Sequence, residues 1–195
     1  ITRRVHGEIV SSRRIAFAAS QSAHCLQQRN VITMDLIMPP ALKPWFSSDI
    51  PESRQLDIGF ALFEFPRFED LIDFQMGYRW HGITQAREPT WDDNWLVLAS
   101  SYGDPLIYHL KDEHILFARH GACGWKPNLL FTDLAQMSRC FNALAALISD
   151  AGDALFDDDD NIQPNYVELI KAKIVNHVGL EQGNQIVEQL EIMAY

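Results

Sequence analysis

The sequence predicts an α+β fold: a central, largely antiparallel sheet packed with helices, followed by a helical C-terminal appendix. Two patterns carry this expectation. Between residues 95 and 118, short apolar runs are separated by polar connections of three to six residues, the signature of an antiparallel meander. Helical periodicities flank that region on both sides, so helices and strands are segregated rather than alternating as βαβ units. At 195 residues, one domain with a core of ordinary size is the default.

Taken in order, residues 12–29 are Ala- and Gln-rich without Gly or Pro and suit a helix. Residues 31–38 read as a short strand or extended segment that stops at Pro39-Pro40. Residues 39–51 hold four prolines and the Ser47-Ser48 pair, and read as an irregular surface stretch. Residues 58–65 (IGFALFEF) form a strand candidate closed by Pro66. Phe68, Leu71, Ile72, Gln75 and Met76 then fall at helical spacing, with Glu69 and Asp70 near the positive end of the dipole and Gly77 as C-cap. A short amphipathic helix is the prediction there. The meander comprises 95–99, 106–110 and 115–118. Thr132 or Asp133 can N-cap the next helix, and Asp133 with Gln136 fits a capping box. Leu134, Met137, Phe141, Leu144, Ala145 and Ile148 line one face of that helix. An acidic linker follows, then helices over 165–178 and 180–193 split by Gly179. Tyr166, Leu169, Ile170, Ile174 and Val178 would form the apolar face of the first; Ile186, Val187, Leu190 and Met193 that of the second. The expected organisation is an α+β domain over 1–150, with 151–195 a linker and helical extension of the same compact unit.

Composition excludes several classes. With 47% hydrophobic and 11% aromatic residues, the chain has ample surface to bury and is not intrinsically disordered. Its 26 acidic residues against 16 basic ones, a formal charge of −10, would meet phosphate with net repulsion, so no nucleic-acid partner is expected. No stretch approaches the ~18–20 apolar residues of a membrane span. The charge is uneven: Arg3, Arg4, Arg13, Arg14 and Arg29 oppose only Glu8 in the first thirty residues, which leaves the acidity to the remainder. Arg13-Arg14 precedes the apolar run 15–19, which is shorter than the ~7–15 residues of a signal-peptide core. Three cysteines, Cys25, Cys123 and Cys140, are too few and too odd for a disulfide framework. A cytoplasmic setting is expected; the completeness of the N-terminus is left open.

Candidate chemistry is sparse. His109, His114, His120 and Cys123 suggest a metal, but only His120-x₂-Cys123 has ligand spacing, so no metal and no cofactor are expected. Cys123 with His120 and Asn128 could be drawn as a thiol triad, yet no nucleophile elbow, P-loop or dinucleotide fingerprint accompanies it. The chain is expected not to be an enzyme. Asp157, Asp158, Asp159 and Asp160 lack the alternating ligands, central Gly and terminal Glu of a calcium loop. They read as a solvated loop or as a contact surface for a basic partner. Trp80, Trp91, Trp95 and Trp125 cluster in the middle of the chain; Trp95 opens a strand and suits the core, whereas Trp80 and Trp91 lie in polar loops and suit an interface.

Residues 73–78 (DFQMGY) and 90–106 (TWDDNWLVLASSYGDPL) resemble the SUKH superfamily of Smi/Knr-type domains. These domains show a helix leading into a Gly-Tyr-like pair, a Trp-opened strand, and a Gly-Asp-Pro turn into the next strand. Gly103, Asp104 and Pro105 match that turn, with Tyr102 where a second Gly often stands, and the helix of residues 134–148 is similar to the closing helix, with Phe141 in its aromatic place. The resemblance spans 55–149; the usual upstream helix and turn are not recognisable. It implies a binding scaffold: many bacterial members are immunity proteins that neutralise polymorphic toxins, often nucleases or deaminases, while fungal relatives are regulators. The expectation is a cytoplasmic immunity protein bound to a basic toxin domain, with a regulatory or scaffold module as the alternative. Contacts are expected at Trp80, Glu88, Trp91, Asp92 and Asp93, and at Asp157, Asp158, Asp159 and Asp160. Homo-oligomerisation is left open.

Overall fold

Six strands form one antiparallel sheet in sequential order: β1 (Gln55–Asp57), β2 (Leu62–Glu64), β3 (Trp95–Ser101), β4 (Asp104–His109), β5 (Ile115–Phe117) and β6 (Asn128–Phe131). Among the described residues, four α-helices accompany it: α1 (Leu42–Ser48), α2 (Leu134–Ala151), α3 (Pro164–Val178) and α4 (Leu180–Gln189). The computed structural model describes residues 36–121 and 123–192. The helix expected at 12–29 lies outside them, as do residues 31–35 and Met193; Leu36 to Met38 carry no regular structure. From Met38 onward the chain forms one compact unit, which includes the C-terminal helices.

The α+β class is therefore as the strand runs and flanking periodicities imply. The two faces of the sheet are covered differently. Phe141 of α2 stacks on Phe63 at 5.2 Å and meets Phe131 edge-on at 5.2 Å, so this helix seals one face. Val97, Ile107 and Ala118 point to the other face, where Trp91 is buried among Phe74, Tyr78, Trp95, Leu116 and Trp125. A fully buried Val or Ile side chain such as Val97 or Ile107 contributes ~1.5–3 kcal/mol of transfer free energy. Asp133 caps α2 by accepting from the Gln136 N–H at 2.7 Å, and Gln136 reaches back to accept from the Thr132 N–H at 2.9 Å. The capping box is thus present, shifted by one residue on its return arm.

Several local expectations require correction. Residues 58–65 are not one strand but the turn and second arm of a hairpin. Gly59 takes φ 88°, its N–H bonds Asp57 Oδ1 at 2.7 Å, and the chain doubles back. Residues 39–51 are not irregular: α1 forms because Leu42, Trp45 and Phe46 share a buried face, with Pro44 in the first turn where its missing N–H costs little. Trp45 Nε1 donates to Ser138 Oγ of α2 at 2.9 Å, anchoring that short helix. The strand β6 carries no clean alternation and was not anticipated. Its outer edge is covered by α4, whose Gln182 and Gln189 donate to the Leu130 and Leu129 carbonyls.

The fourth correction concerns residues 68–76, which form two 3₁₀ turns, Phe68–Asp70 and Asp73–Gln75, instead of an amphipathic helix. The cause is Gln75, a fully buried side chain. Strand β2 pairs with β3 only through Glu64 and Ser100, so the backbone of Val97 lacks a strand partner on that side. The Gln75 carboxamide supplies one: Oε1 accepts from Val97 N–H and Nε2 donates to Val97 C=O, both at 2.9 Å. A continuous helix would not hold the amide in that place. In the C-terminal pair, Val167, Ile170 and Ile174 are buried whereas Leu169 is 49% exposed, which shifts the apolar face of α3 from the expected one. Gly183 lets α4 approach α3, since a Cβ there would lie 2.7 Å from Val175 Cγ2.

Replacing Gln75 with Ala leaves two buried backbone groups of Val97 unpaired. It should destabilise the fold by about 2–4 kcal/mol, read from urea unfolding midpoints. Cys140 is fully buried on α2 and burial pushes its thiol up to about 12, whereas Cys123 is exposed. In the native protein at pH 8, iodoacetamide should therefore alkylate Cys123 and leave Cys140 intact until denaturant is added, as peptide mass mapping would show.

Candidate functional site

The hairpin joining β3 and β4 turns through two residues only, Tyr102 at φ 51° and Gly103 at φ 94°. Left-handed values at both positions are those of a type I′ turn, which suits the twist of the strands and favours Asn or Gly at each. Gly103 meets that demand. Tyr102 does not, and its side chain is 81% exposed, so it gains no core packing in return.

Directly after the turn stands Asp104, 4% exposed. Its Oδ1 accepts from the His120 backbone N–H at 2.7 Å and lies 2.5 Å from His120 Nδ1; its Oδ2 accepts from Arg119 at 2.8 Å. These partners come from the segment beyond β5, not from the turn itself. Burial works to raise the Asp104 pKa; the His120 amide and ring and the Arg119 guanidinium outweigh it and hold the carboxyl below its ordinary value. Arg119 extends further, donating to the Gln189 carbonyl at 2.8 Å and pairing with Glu191 at 3.3 Å. Its guanidinium also sits 5.3 Å from the Phe117 ring centroid.

These groups line a cleft of about 470 Å³. One wall is apolar, with Phe60, Phe156 and Ile162; Tyr102 stands at its mouth, and Asp160 and Glu191 add carboxylates. Three of its residues, Tyr102, Asp160 and Glu191, have φ of 51°, 63° and 55°. Such values are uncommon outside glycine and each costs of order 1 kcal/mol. A second cleft of about 620 Å³ runs between β6 and α4 and shares Phe117, Arg119 and Glu191 with the first.

Most acids expected at a contact surface are engaged internally. Asp93 pairs with Arg87 and lies 3.6 Å from Arg79, whose buried guanidinium also donates to the Asp93 and Trp95 carbonyls. Asp92 accepts from Asn94 N–H at 2.7 Å, and that backbone bond holds its carboxyl below the ordinary range. Glu88 accepts from the Thr90 hydroxyl at 2.8 Å and from its N–H, with the same effect. Asp157 binds the Asn161 and Asp159 amides, making the tetra-aspartate segment a closed turn. Asp158, Asp159 and Asp160 are exposed, and none forms an ion pair among the described residues.

Trp91, expected at an interface, is 3% exposed. Its polar loop folds over the sheet, its Nε1 donates to Trp95 C=O at 3.1 Å, and its ring packs edge-on against Trp95 and Trp125 at about 5.5 Å. Trp80 is half-buried with Arg79 over its ring. Of the predicted residues, Asp160 alone lines the cleft beside Asp104; Glu88 borders a smaller one beside Arg119. His109 bonds within its own hairpin and His120 within the Asp104 network, and among the described residues no three His, Cys, Asp or Glu side chains group as a metal site. Sequence reasoning missed Tyr102, Phe156, Arg119 and Glu191. A non-Gly residue in a Gly-favoured turn position was the one local signal.

No family model matches this chain, and neither the curated proteins nor the solved structures contain a match. No described helix is long and apolar enough to cross a membrane.

Asp104→Asn would set an amide N–H₂ against the Arg119 guanidinium and should cost about 1–3 kcal/mol at pH 7. Because the folded-state pKa is lowered, the wild-type contribution is complete above the unfolded value of about 3.9 and is lost as pH falls towards the folded value. Unfolding free energies at pH 7 and pH 3 should therefore converge between wild type and variant at the lower pH.

Proposed function

We propose that this chain is a non-enzymatic, protein-binding module of the SUKH type, and that it serves in the cytoplasm as an immunity protein. Its partner would be a basic toxin domain of nuclease or deaminase kind, neutralised by direct contact over its active cleft. The Gly-Asp-Pro turn, the Trp-opened strand and the closing helix support membership of that scaffold class. The observation that carries the binding role is Tyr102. A large aromatic ring is held in solvent, at a backbone position that disfavours it, on the rim of a cleft. Neither packing nor turn geometry accounts for it, whereas a protein interface uses such a ring as a rigid anchor with little entropy to lose. Asp160, which lines the same cleft, and its exposed neighbours Asp158 and Asp159 suit a basic partner and would speed its association.

Co-expression with the toxin domain encoded next to this gene tests the reading. A stable complex on a sizing column, with survival of the host cells, is the expected result. Cell death despite expression, or two separate peaks, would overturn it. Tyr102→Gly separates binding from folding. The variant should be as stable as wild type or up to about 1 kcal/mol more stable, because the αL strain is relieved. It should bind the partner at least ~10-fold more weakly by titration calorimetry, as loss of an aromatic anchor does.

A further inference from the structure

The cleft beside Asp104 already contains one guanidinium, and the way it is held indicates what else fits. Arg119 rests against the Phe117 ring and is bracketed by the carboxylates of Asp104 and Glu191. The remaining lining repeats those ingredients without a cation. Phe60, Phe156 and Tyr102 supply aromatic surface, and Asp160 supplies a carboxylate with no hydrogen-bond or ion-pair partner among the described residues. Three carboxylates, Asp104, Asp160 and Glu191, face the guanidinium of Arg119 and the His120 imidazole; with the imidazole neutral, that is a formal excess of two negative charges in a space of about 470 Å³.

We propose that this cleft is the receptor for one arginine side chain of the protein partner, stacked on the Phe156 and Tyr102 rings with its guanidinium directed to Asp160. Arginine fits better than lysine. Its planar, weakly hydrated head stacks on aromatic faces and forks onto a carboxylate, while a compact ammonium keeps its water. An apolar side chain would fill the wall and leave the Asp160 charge uncompensated. The backbone is compatible with the placement: Tyr102 and Asp160 both line the cleft and both hold left-handed conformations, which set the directions of their Cα–Cβ bonds. The proposal rests on the protein-binding reading above and specifies the chemistry by which the partner is recognised.

The test uses the full chain labelled with ¹⁵N and, as probe, Nα-acetyl-arginine amide at low salt. Saturable shifts should appear at Tyr102, Phe156, Asp160 and Ile162. The lysine analogue should bind about threefold more weakly and the uncharged norleucine analogue should give no saturable shift. Asp160→Asn preserves the fold, since Asn tolerates the left-handed conformation, and should weaken the arginine probe about fivefold. Phe156→Ala should do likewise. Equal binding of the norleucine analogue would make this an apolar groove and overturn the proposal. So would shifts spread over the acidic surface, or an unchanged response in both variants. The toxin arm tells the two readings apart. If the complex forms and Asp160→Asn and Phe156→Ala leave its affinity unaltered, the arginine receptor is wrong while the protein-binding role stands. If no complex forms but the probe maps to the cleft, the toxin partner is wrong while the arginine selectivity of the cleft stands.

Discussion

The buried Asp104 carboxylate is the interaction on which the rest of the site depends. Taking a carboxylate out of water costs several kcal/mol unless its oxygens are fully bonded. Here both are: an amide and an imidazole serve one, a guanidinium the other. Those donors tie the start of β4 to the segment after β5. Arg119 then carries the link on to Gln189 and Glu191 at the end of α4. A hairpin, a loop and a C-terminal helix are thereby held around one space. The cleft is a consequence of satisfying that one charge.

A net charge of −10 says less about binding than its distribution does. Asp92, Asp93, Glu88 and Asp157 have their carboxylates committed to nearby amides, hydroxyls or arginines, where they stiffen turns. Each leaves a partner only its second carboxylate oxygen and a side chain already fixed in its own turn. The carboxylates of Asp158, Asp159 and Asp160 carry no such commitment among the described residues. The tryptophans divide in the same way. Trp91 became part of the core because the polar loop that contains it closes over a sheet face that would otherwise remain wet. Tyr102 took the exposed position instead, on a turn that local preference would have left to glycine.

Much of the architecture was legible in the sequence. The meander of β3, β4 and β5, the Asp133–Gln136 cap and the two terminal helices all depend on neighbours within a few residues: alternation, helical spacing, capping side chains and Gly179. The misread segments share another cause. Residues 68–76 have helical spacing, yet Gln75 is held by Val97, twenty-two positions away. Residues 39–51 look irregular, yet Trp45 finds a hydrogen-bond partner in Ser138, ninety-three positions on. Long-range bonds outweighed local preference in both.

The sequence by itself determined the α+β class, the order of its main elements, the tight turn at Tyr102-Gly103 and the excess of acid. Those follow from composition and from forces acting over one or two turns of backbone. Only the tertiary structure decided which aromatic rings are covered and which acids are spent. It also assembled a cleft from residues 59–61, 101–104, 117–120, 156–162 and 190–191. Burial is a property of what lies opposite a side chain, and nothing in the spacing of those segments brings them together; the charge of Asp104 and the packing of helices on the sheet do.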